Sequence, residues 1–199
     1  MAISIEDIKK LRDMTGAGMM KAKEALEEAK GDIDKAVEVL RLSGAASAAK
    51  KSDREAKSGL IESYLHGGKI GVLVEINCET DFVARTADFK EFAHEIAMQV
   101  AAANPEYVSP SDVPEAVIEK EKSLFKAEME GQNKPAEVID KIVEGKMDKF
   151  YGTVCLTKQP HIKDGDKTIE QLTAELVGKL GENIVIRRFS RLELGVNDG

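Results

Sequence analysis

The side chains best suited to nucleophilic chemistry in this chain are Cys78 and His94, a thiol and an imidazole that could act as nucleophile and base. Cys78, however, belongs to a run over residues 70–79 in which alternate positions are apolar, as in a strand with one buried face. A free cysteine on such a face is usually a small buried hydrophobe rather than a reactive thiolate. A cysteine enzyme is therefore only an alternative, which alkylation of the native protein would test.

The sequence gives even less support for a metal site or a phosphate-binding loop than for a cysteine enzyme. His66, His94 and His161 show no metal-ligand spacing, and no cysteine accompanies them in a zinc pattern. Gly16-Ala17-Gly18 resembles a glycine-rich phosphate loop only superficially, because no strand precedes it, and a tight turn between helices explains it. The carboxylates lie among lysines, as solvated surface charges do. We therefore predict no metal, no cofactor and no enzyme site.

The segment Thr80-Asp81-Phe82-Val83, here called the tip segment, follows the strand-like run and is the most informative part of the chain. In one interpretation, Asp81 caps the next helix and Phe82 packs beneath it. In the other, a charge beside a large apolar group at a strand-to-helix corner forms an exposed tip that enters a pocket of another protein. The segment alone leaves both open, and a second motif far upstream favours the exposed tip.

The composition is that of a soluble globular protein whose partner is another protein. Of the 199 residues, 33% are charged and 42% are hydrophobic, and the formal net charge is −7. No apolar run approaches the roughly 20 residues that span a membrane. The first residues lack the pattern of a signal peptide, and Cys78 and Cys155 do not make a disulfide scaffold. We expect a cytoplasmic protein with no membrane contact and no direct nucleic-acid binding, because its basic clusters carry no interleaved aromatic residues.

Residues 1–44 are predicted to form a small module of three short helices, of the kind that binds a partner. A capping box at Ser4 starts the first helix, and glycines separate it from the second. Asp32 is a fair N-cap for the third helix, which should end before Gly44. Residues 45–58, rich in alanine, lysine and serine, are predicted to be a solvated, partly helical linker.

Residues 59–199 are predicted to form an α+β core domain. Period-two alternation over residues 60–79, with a turn at Gly67-Gly68, predicts a β-hairpin. A last strand over residues 183–194 alternates imperfectly, which indicates a bulge or a face that meets a partner. The hairpin and this distant strand together predict a small antiparallel sheet of about three strands, covered by helices on its apolar face.

Helical spacing fills the rest of this core domain. An amphipathic helix follows the tip segment, and a second precedes the last strand. Between them, residues 114–155 are predicted to form a helical hairpin that turns at residues 131–133. The sequence does not indicate what this hairpin contacts.

Three long segments of the chain resemble the signatures of a single family. They are residues 11–21 (LRDMTGAGMMK, followed by KEAL at 23–26 and GD at 31–32), residues 74–85 (VEINCETDFVAR) and residues 181–188 (GENIVIRR). By these segments, in this order, the chain is identified as a member of the bacterial elongation factor Ts family. The resemblance covers essentially the whole chain.

The resemblance implies a guanine-nucleotide exchange factor for the GTPase elongation factor Tu. It implies an N-terminal module like ubiquitin-associated domains, which contacts the nucleotide-binding domain of the GTPase through Arg12, Met19 and Met20. The tip segment is then the exchange element. Phe82 enters the GTPase near its Mg²⁺-binding region, and Asp81 makes a polar contact beside it.

For Met19 and Met20, core packing is the alternative to a partner contact. Adjacent residues of a helix point about 100° apart, so at most one of the two should be deeply buried. An exposed methionine next to a glycine suits an adaptable protein contact.

The chain resembles the short members of the family, which carry one core sub-module where long members carry two. Short members are expected to form homodimers, with Ile70 and Gly71 as secondary contacts to the GTPase. Two positions depart from the family pattern. Gln99 lies where some members carry a histidine at the GTPase contact, and His161 lies where an apolar aromatic residue is common.

A plain adaptor, with a binding module and a dimerisation domain but no effect on nucleotide, is the alternative from another functional class.

Overall fold

The computed structural model describes residues 3–129 and 135–196, and it confirms the predicted α+β fold. Labelled in chain order, the helices and strands are α1 (Ile5–Thr15), α2 (Met19–Glu28), α3 (Ile33–Lys51), β1 (Ser58–His66), β2 (Ile70–Cys78), α4 (Asp81–Ala84), α5 (Ala87–Ala103), α6 (Glu115–Ala127), α7 (Ala136–Val154), α8 (Ile169–Leu180) and β3 (Ile184–Glu193). Short 3-10 turns lie at Pro110–Asp112 and Leu156–Lys158. The turn predicted at residues 131–133 lies outside the described residues.

The first helices start and stop where the sequence predicts. The Ser4 hydroxyl accepts a hydrogen bond from the Asp7 backbone N–H at 3.0 Å, and the Asp32 carboxylate accepts one from the Lys35 N–H at 3.1 Å. Gly16 has a left-handed φ of 67° and ends α1. Their apolar faces meet in one small core of Ile8, Leu11, Ala22, Ala25, Leu26, Ala29 and Ala36.

Helix α3 is longer than predicted. It does not end before Gly44 but continues to Lys51, because the alanine-rich stretch that follows favours a helix and Gly44 itself is buried. A Cβ atom on Gly44 would lie 3.3 Å from the Ala174 carbonyl oxygen, and one on Gly178 would lie 3.2 Å from the Gly44 Cα. Helices α3 and α8 thus meet backbone to backbone at Gly44 and Gly178, here called the glycine crossing. The division of the chain at residues 44 and 58 stays a prediction.

The sheet has the predicted make-up of a hairpin plus one distant strand. Its order is β1-β2-β3, so β2 is the central strand and is hydrogen-bonded on both sides. The hairpin turn uses Gly67 and Gly68, with φ values of 57° and 69° that suit glycine. The predicted apolar face of β2 is buried at Val72, Val74, Ile76 and Cys78. The strand that leads to the tip segment is therefore the best-anchored strand of the sheet.

The irregularity predicted for β3 is a shift by one residue in the alternation of buried and exposed positions. Burial alternates through Ile186, after which Arg187 and Arg188 are both exposed and the alternation resumes one residue out of step. Two consecutive exposed residues in a strand are what an inserted residue produces.

Helices α6 and α7 pack against each other and form the predicted helical hairpin. Helix α7 runs without a break through Gly145. The ammonium group of Lys146 lies 5.2 Å from the ring centre of Phe125, a distance that permits a cation–π contact. Among the described residues, no helix combines the length and the apolar composition needed to cross a bilayer.

Contacts between residues divide the described chain into two compact units. The first contains the described residues of Met1–Glu62, Glu75–Ala93 and Glu170–Arg187. The second contains those of Ser63–Val74, His94–Ile169 and Arg188–Gly199. The N-terminal helices, the tip segment and α8 belong to the first unit, and the helical hairpin belongs to the second.

Candidate protein-binding site

The tip segment forms a single helical turn, α4, just beyond the central strand. Thr80 is its N-cap, and the Thr80 hydroxyl lies 3.5 Å from the Val83 N–H that it accepts. The Phe82 side chain is 86% exposed. The interpretation in which Asp81 caps the helix and Phe82 packs beneath it is therefore wrong. Full burial of a phenylalanine is worth about 1.5–3 kcal/mol, so an exposed one at a fixed corner is suited to fill a partner's pocket.

Glu182, from the short link between α8 and β3, holds the corner at which the tip segment begins. Its carboxylate accepts hydrogen bonds from the backbone N–H groups of Glu79 and Thr80, at 3.1 and 3.0 Å. The other carboxylate oxygen accepts the Thr80 hydroxyl at 2.6 Å. Hydrogen bonds to an ionised acceptor are the strong class, so this contact fixes the last residues of the strand.

The neighbouring residue Asn183 makes the contact reciprocal. Its backbone N–H donates to the Glu79 carboxylate at 2.7 Å, while the Glu79 N–H donates to Glu182. The buried Asn183 amide also donates to the Arg54 carbonyl oxygen at 2.8 Å and to that of Ser52 at 3.3 Å. We call Glu79, Thr80, Glu182 and Asn183 the corner clamp. It joins the base of the tip segment to the chain that leaves α3.

Cys78 lies directly beneath this corner and is fully buried. Its thiol donates to the Thr80 carbonyl oxygen at 3.2 Å. Burial raises the pKa of Cys78, with the charge of Glu182 acting in the same direction. Burial likewise raises the pKa of Cys155 to about 11. A raised pKa keeps a thiol protonated and unreactive, which argues against the cysteine-enzyme alternative.

We predict that neither cysteine is alkylated in the folded protein. At about pH 8 the thiolate fraction of a buried, high-pKa thiol is small, so iodoacetamide should label Cys78 and Cys155 only after unfolding in urea. Peptide mass spectrometry before and after addition of urea measures this. Fast labelling of Cys78 in the native protein would instead return the cysteine enzyme to consideration.

The other predicted contact residues lie at the start of the first unit. Met19 is 43% exposed and Met20 is 67% exposed, so neither is deeply buried and the core-packing alternative is wrong for both. The Arg12 side chain is half exposed, with its Nε 3.6 Å from an Asp13 carboxylate oxygen. Gly18 is the N-cap of α2, the helix that starts with the methionines. A Cβ atom added to Gly18 would have no atom from beyond its chain neighbours within 4 Å.

Comparison with known proteins decides the family. The model of the family described as elongation factor TS matches residues 1–176. Elongation factor Ts of Caldanaerobacter subterraneus subsp. tengcongensis is 57% identical over 194 residues, which cover 97% of each chain. The proteins of the same name from Thermodesulfovibrio yellowstonii and Coprothermobacter proteolyticus are 54% and 57% identical, over 98% of this chain and 98% and 100% of theirs.

This chain belongs to the elongation factor Ts family. The identification that the sequence motifs predicted is confirmed. Among the predicted contact residues, the tip segment and the N-terminal residues Arg12, Met19 and Met20 all belong to the first unit. Ile70 and Gly71, half-buried at the start of β2, belong to the second. Their contact roles stay predictions.

Gln99 has a structural explanation in this member of the elongation factor Ts family. It is 1% exposed. Its amide nitrogen donates to the Gln159 side-chain oxygen at 3.2 Å and to the Pro160 carbonyl oxygen at 3.1 Å, and its oxygen accepts the Ile162 N–H at 2.9 Å. Gln99 therefore supports the loop after Leu156–Lys158 from inside, and its side chain is not available to a partner.

His161 lies in the same loop and is also buried. Its backbone N–H donates to the Lys167 carbonyl oxygen at 2.8 Å. Within the described part of the chain, its ring Nε2 has no hydrogen-bond partner, and the nearest carboxylate oxygen, on Glu95, lies 3.9 Å away. The structure thus places the His161 ring in the interior of the loop.

Sequence reasoning missed Glu182 as a functional candidate. The residue was part of the third family signature, but nothing local assigns it a role, because its partners lie more than a hundred positions away, at a separation of 102 for Thr80 and 103 for Glu79. No local signal could have found it, because the backbone N–H groups that it accepts reach it only in the folded chain.

Proposed function

We propose that this protein is the guanine-nucleotide exchange factor of elongation factor Tu and promotes GDP release during translation elongation. The observation that carries the proposal is Phe82, exposed on a corner that the clamp holds, in a chain of the elongation factor Ts family. An exposed aromatic side chain on a preorganised support is the kind of group that dominates protein interfaces.

In the proposed mechanism, the tip segment displaces the parts of the GTPase that hold GDP. GDP in such a GTPase is held mainly by Mg²⁺ and by the backbone N–H groups of the phosphate loop. Insertion of Phe82 beside the metal-binding region, with Asp81 as a polar contact, would shift the element that supports the metal and disturb that loop. Both changes favour the nucleotide-free state. By linkage, nucleotide must weaken binding of the factor by the same ratio.

In this proposal the chain makes and breaks no covalent bond, so it is not an enzyme in the chemical sense. The N-terminal module, taken as residues 1–44, supplies affinity through Arg12, Met19 and Met20, since flexible methionines adapt to a partner surface. Ile70 and Gly71 add secondary contacts. The tip segment supplies the change in nucleotide affinity.

Release of a fluorescent GDP analogue from elongation factor Tu tests the proposal. Substoichiometric amounts of this protein should accelerate release with multiple turnovers, since the factor is regenerated when nucleotide rebinds. Binding without acceleration would support the adaptor alternative. The exposed Phe82 fits a protein contact in either case, so the effect on nucleotide release is what separates the two functions.

We further propose that the protein is a homodimer that pairs through an apolar sheet surface. In the second unit, Tyr64 contacts the ring of His94 on α5, with ring centres 5.7 Å apart, and Arg191 donates to the Ala101 carbonyl oxygen on α5 at 3.3 Å. Alternate residues of a strand point to opposite faces, so their neighbours point away from α5. The exposed side chains of this surface are Leu65, Leu73, Leu192 and Leu194. Apolar side chains grouped on three strands are typical of an interface.

The dimer makes a testable prediction. Leu73→Glu with Leu192→Glu should convert a dimer into a monomer, because pairing would bury unpaired carboxylates from both chains in an apolar interface. Light scattering at micromolar concentrations measures the mass. Leu124→Glu, which changes an equally apolar exposed residue on α6, is the matched control and should stay dimeric. If the unmodified protein is a monomer at these concentrations, the proposed dimer is wrong.

A further inference from the structure

The corner clamp places a carboxylate where it controls the orientation of Phe82. Glu182 accepts from the backbone N–H groups of Glu79 and Thr80 and from the Thr80 hydroxyl. Thr80 is at the same time the N-cap of the turn that carries Phe82. The side chain of Glu182 therefore acts on the one residue that sets how α4 leaves the strand.

The turn itself has little else to orient it. Helix α4 has 4 residues, and a helix of one turn has no stability of its own. Among its members Ala84 is buried, whereas Asp81 and Phe82 are exposed. Packing below the turn thus comes from two side chains of modest size, the buried Ala84 and the half-buried Val83. The direction of Phe82 depends on the backbone at Thr80, and that backbone is bonded to Glu182.

We infer that Glu182 is a positioning residue for nucleotide exchange, acting through Thr80 to hold Phe82 in the geometry that enters the GTPase. This inference rests on the proposed function. Glu182 is half-buried, and both of its carboxylate oxygens are bonded to Glu79 or Thr80, so we expect its effect to pass through the tip. Preorganisation of an anchor lowers the ordering cost of binding and of the step that follows it.

A second feature makes the clamp more than a local cap. The Glu79 carboxylate accepts the Asn183 N–H, and Asn183 holds the carbonyl oxygens of Ser52 and Arg54 at the exit of α3. The same residues therefore secure both the tip and the end of the helix that belongs to the N-terminal module. Removing the Glu182 carboxylate deletes the hydrogen bonds to Glu79 and Thr80 but none of the groups that make the Asn183 contacts.

The test compares Glu182→Ala, Glu182→Gln and Phe82→Ala in the full-length protein, with Glu115→Gln as a matched change of an exposed charge. Glu182→Ala should lower the maximal rate of GDP release at saturating factor about tenfold. Because ordering the tip also costs binding free energy, the affinity for nucleotide-free elongation factor Tu should weaken by no more than about the same factor. Glu182→Gln should recover part of the rate, because one amide oxygen still accepts the backbone N–H groups. Glu115→Gln should match the parent.

A double-variant cycle separates positioning from general damage to the fold. If Glu182 acts through Phe82, adding Glu182→Ala to Phe82→Ala should slow release little further. A full tenfold additional loss on the Phe82→Ala background would overturn the inference, as would an unchanged maximal rate for Glu182→Ala alone.

Amide hydrogen exchange tests the clamp independently of the GTPase. The Glu79 and Thr80 N–H groups should be protected in the parent and in Glu115→Gln, and should exchange at least about tenfold faster in Glu182→Ala. Unchanged protection at both amides would overturn the inference even if Glu182→Ala slowed GDP release. If the parent failed to accelerate GDP release while these amides lost protection, the proposed function would fail and the role of Glu182 in placing the tip would stand.

Discussion

Replacing Phe82 with alanine should slow factor-stimulated GDP release from elongation factor Tu by roughly ten- to a hundredfold, the loss expected of a central aromatic anchor. The side chain is 86% exposed in the free protein, so its removal takes away almost no internal packing. The free energy of unfolding should therefore change by less than about 0.5 kcal/mol. Loss of exchange with an intact fold is the signature of a residue that acts only on the partner.

Stopped-flow release of a fluorescent GDP analogue measures this effect, and urea unfolding measures the stability. Ile162→Ala is the matched control, because Ile162 is another exposed apolar residue and its known contact to Gln99 uses only its backbone N–H. The control should release GDP at the parent rate. A Phe82→Ala protein that stimulates GDP release as well as the parent would show that insertion of Phe82 is not part of the mechanism.

Replacing Gly59 with alanine should destabilise the protein by about 3 kcal/mol or more, the largest stability effect that we expect from adding a single methyl group to this chain. Gly59 has a φ of 144°, which L residues rarely adopt. A Cβ atom there would lie 2.1 Å from the Ile76 carbonyl oxygen and 2.8 Å from the Asn77 Cα. Both neighbours are backbone atoms of the central strand, so neither can rotate out of the way.

Gly68→Ala is the matched control for this prediction. Gly68 also has a positive φ, 69°, but nothing lies within 4 Å of the position where a Cβ would be added. Its replacement should cost only the backbone term of about 1–2 kcal/mol. Urea unfolding followed by circular dichroism gives both values. Equal losses for the two variants would show that conformation alone, and not the contact with the central strand, determines the effect at Gly59.

The sequence predicted most of the fold because periodicity and capping are local signals. The buried alternation of β2 and the caps at Ser4 and Asp32 were legible from a few neighbouring residues. The end of α3 was not, because two local signals oppose each other there: Gly44 usually stops a helix, whereas the alanines after it favour one, and a contact with α8 buries Gly44 within the helix. That contact joins segments more than a hundred residues apart, and no local pattern records it.

The candidate site, like the fold, was only partly predictable from the sequence. The tip segment was found from its residue types, yet the sequence alone left open whether Phe82 is buried or exposed, because both arrangements need the same local pattern. No local sequence pattern indicated that Glu182 supports the tip segment. Its hydrogen bonds depend on where the link between α8 and β3 is placed beside the end of β2, which only the folded chain determines.

The glycine crossing also limits how the length of the chain can vary. Helix α3 contributes Ala36 to the core of the N-terminal helices and Gly44 to the crossing with α8. One residue inserted between these positions would rotate one contact relative to the other by about 100° and move it by about 1.5 Å. Insertions or deletions here should therefore be poorly tolerated, because even seven residues, which restore the angular phase over about two turns, move one contact by about 10 Å relative to the other. Along this stretch, the number of residues is under the same physical constraint as their identity.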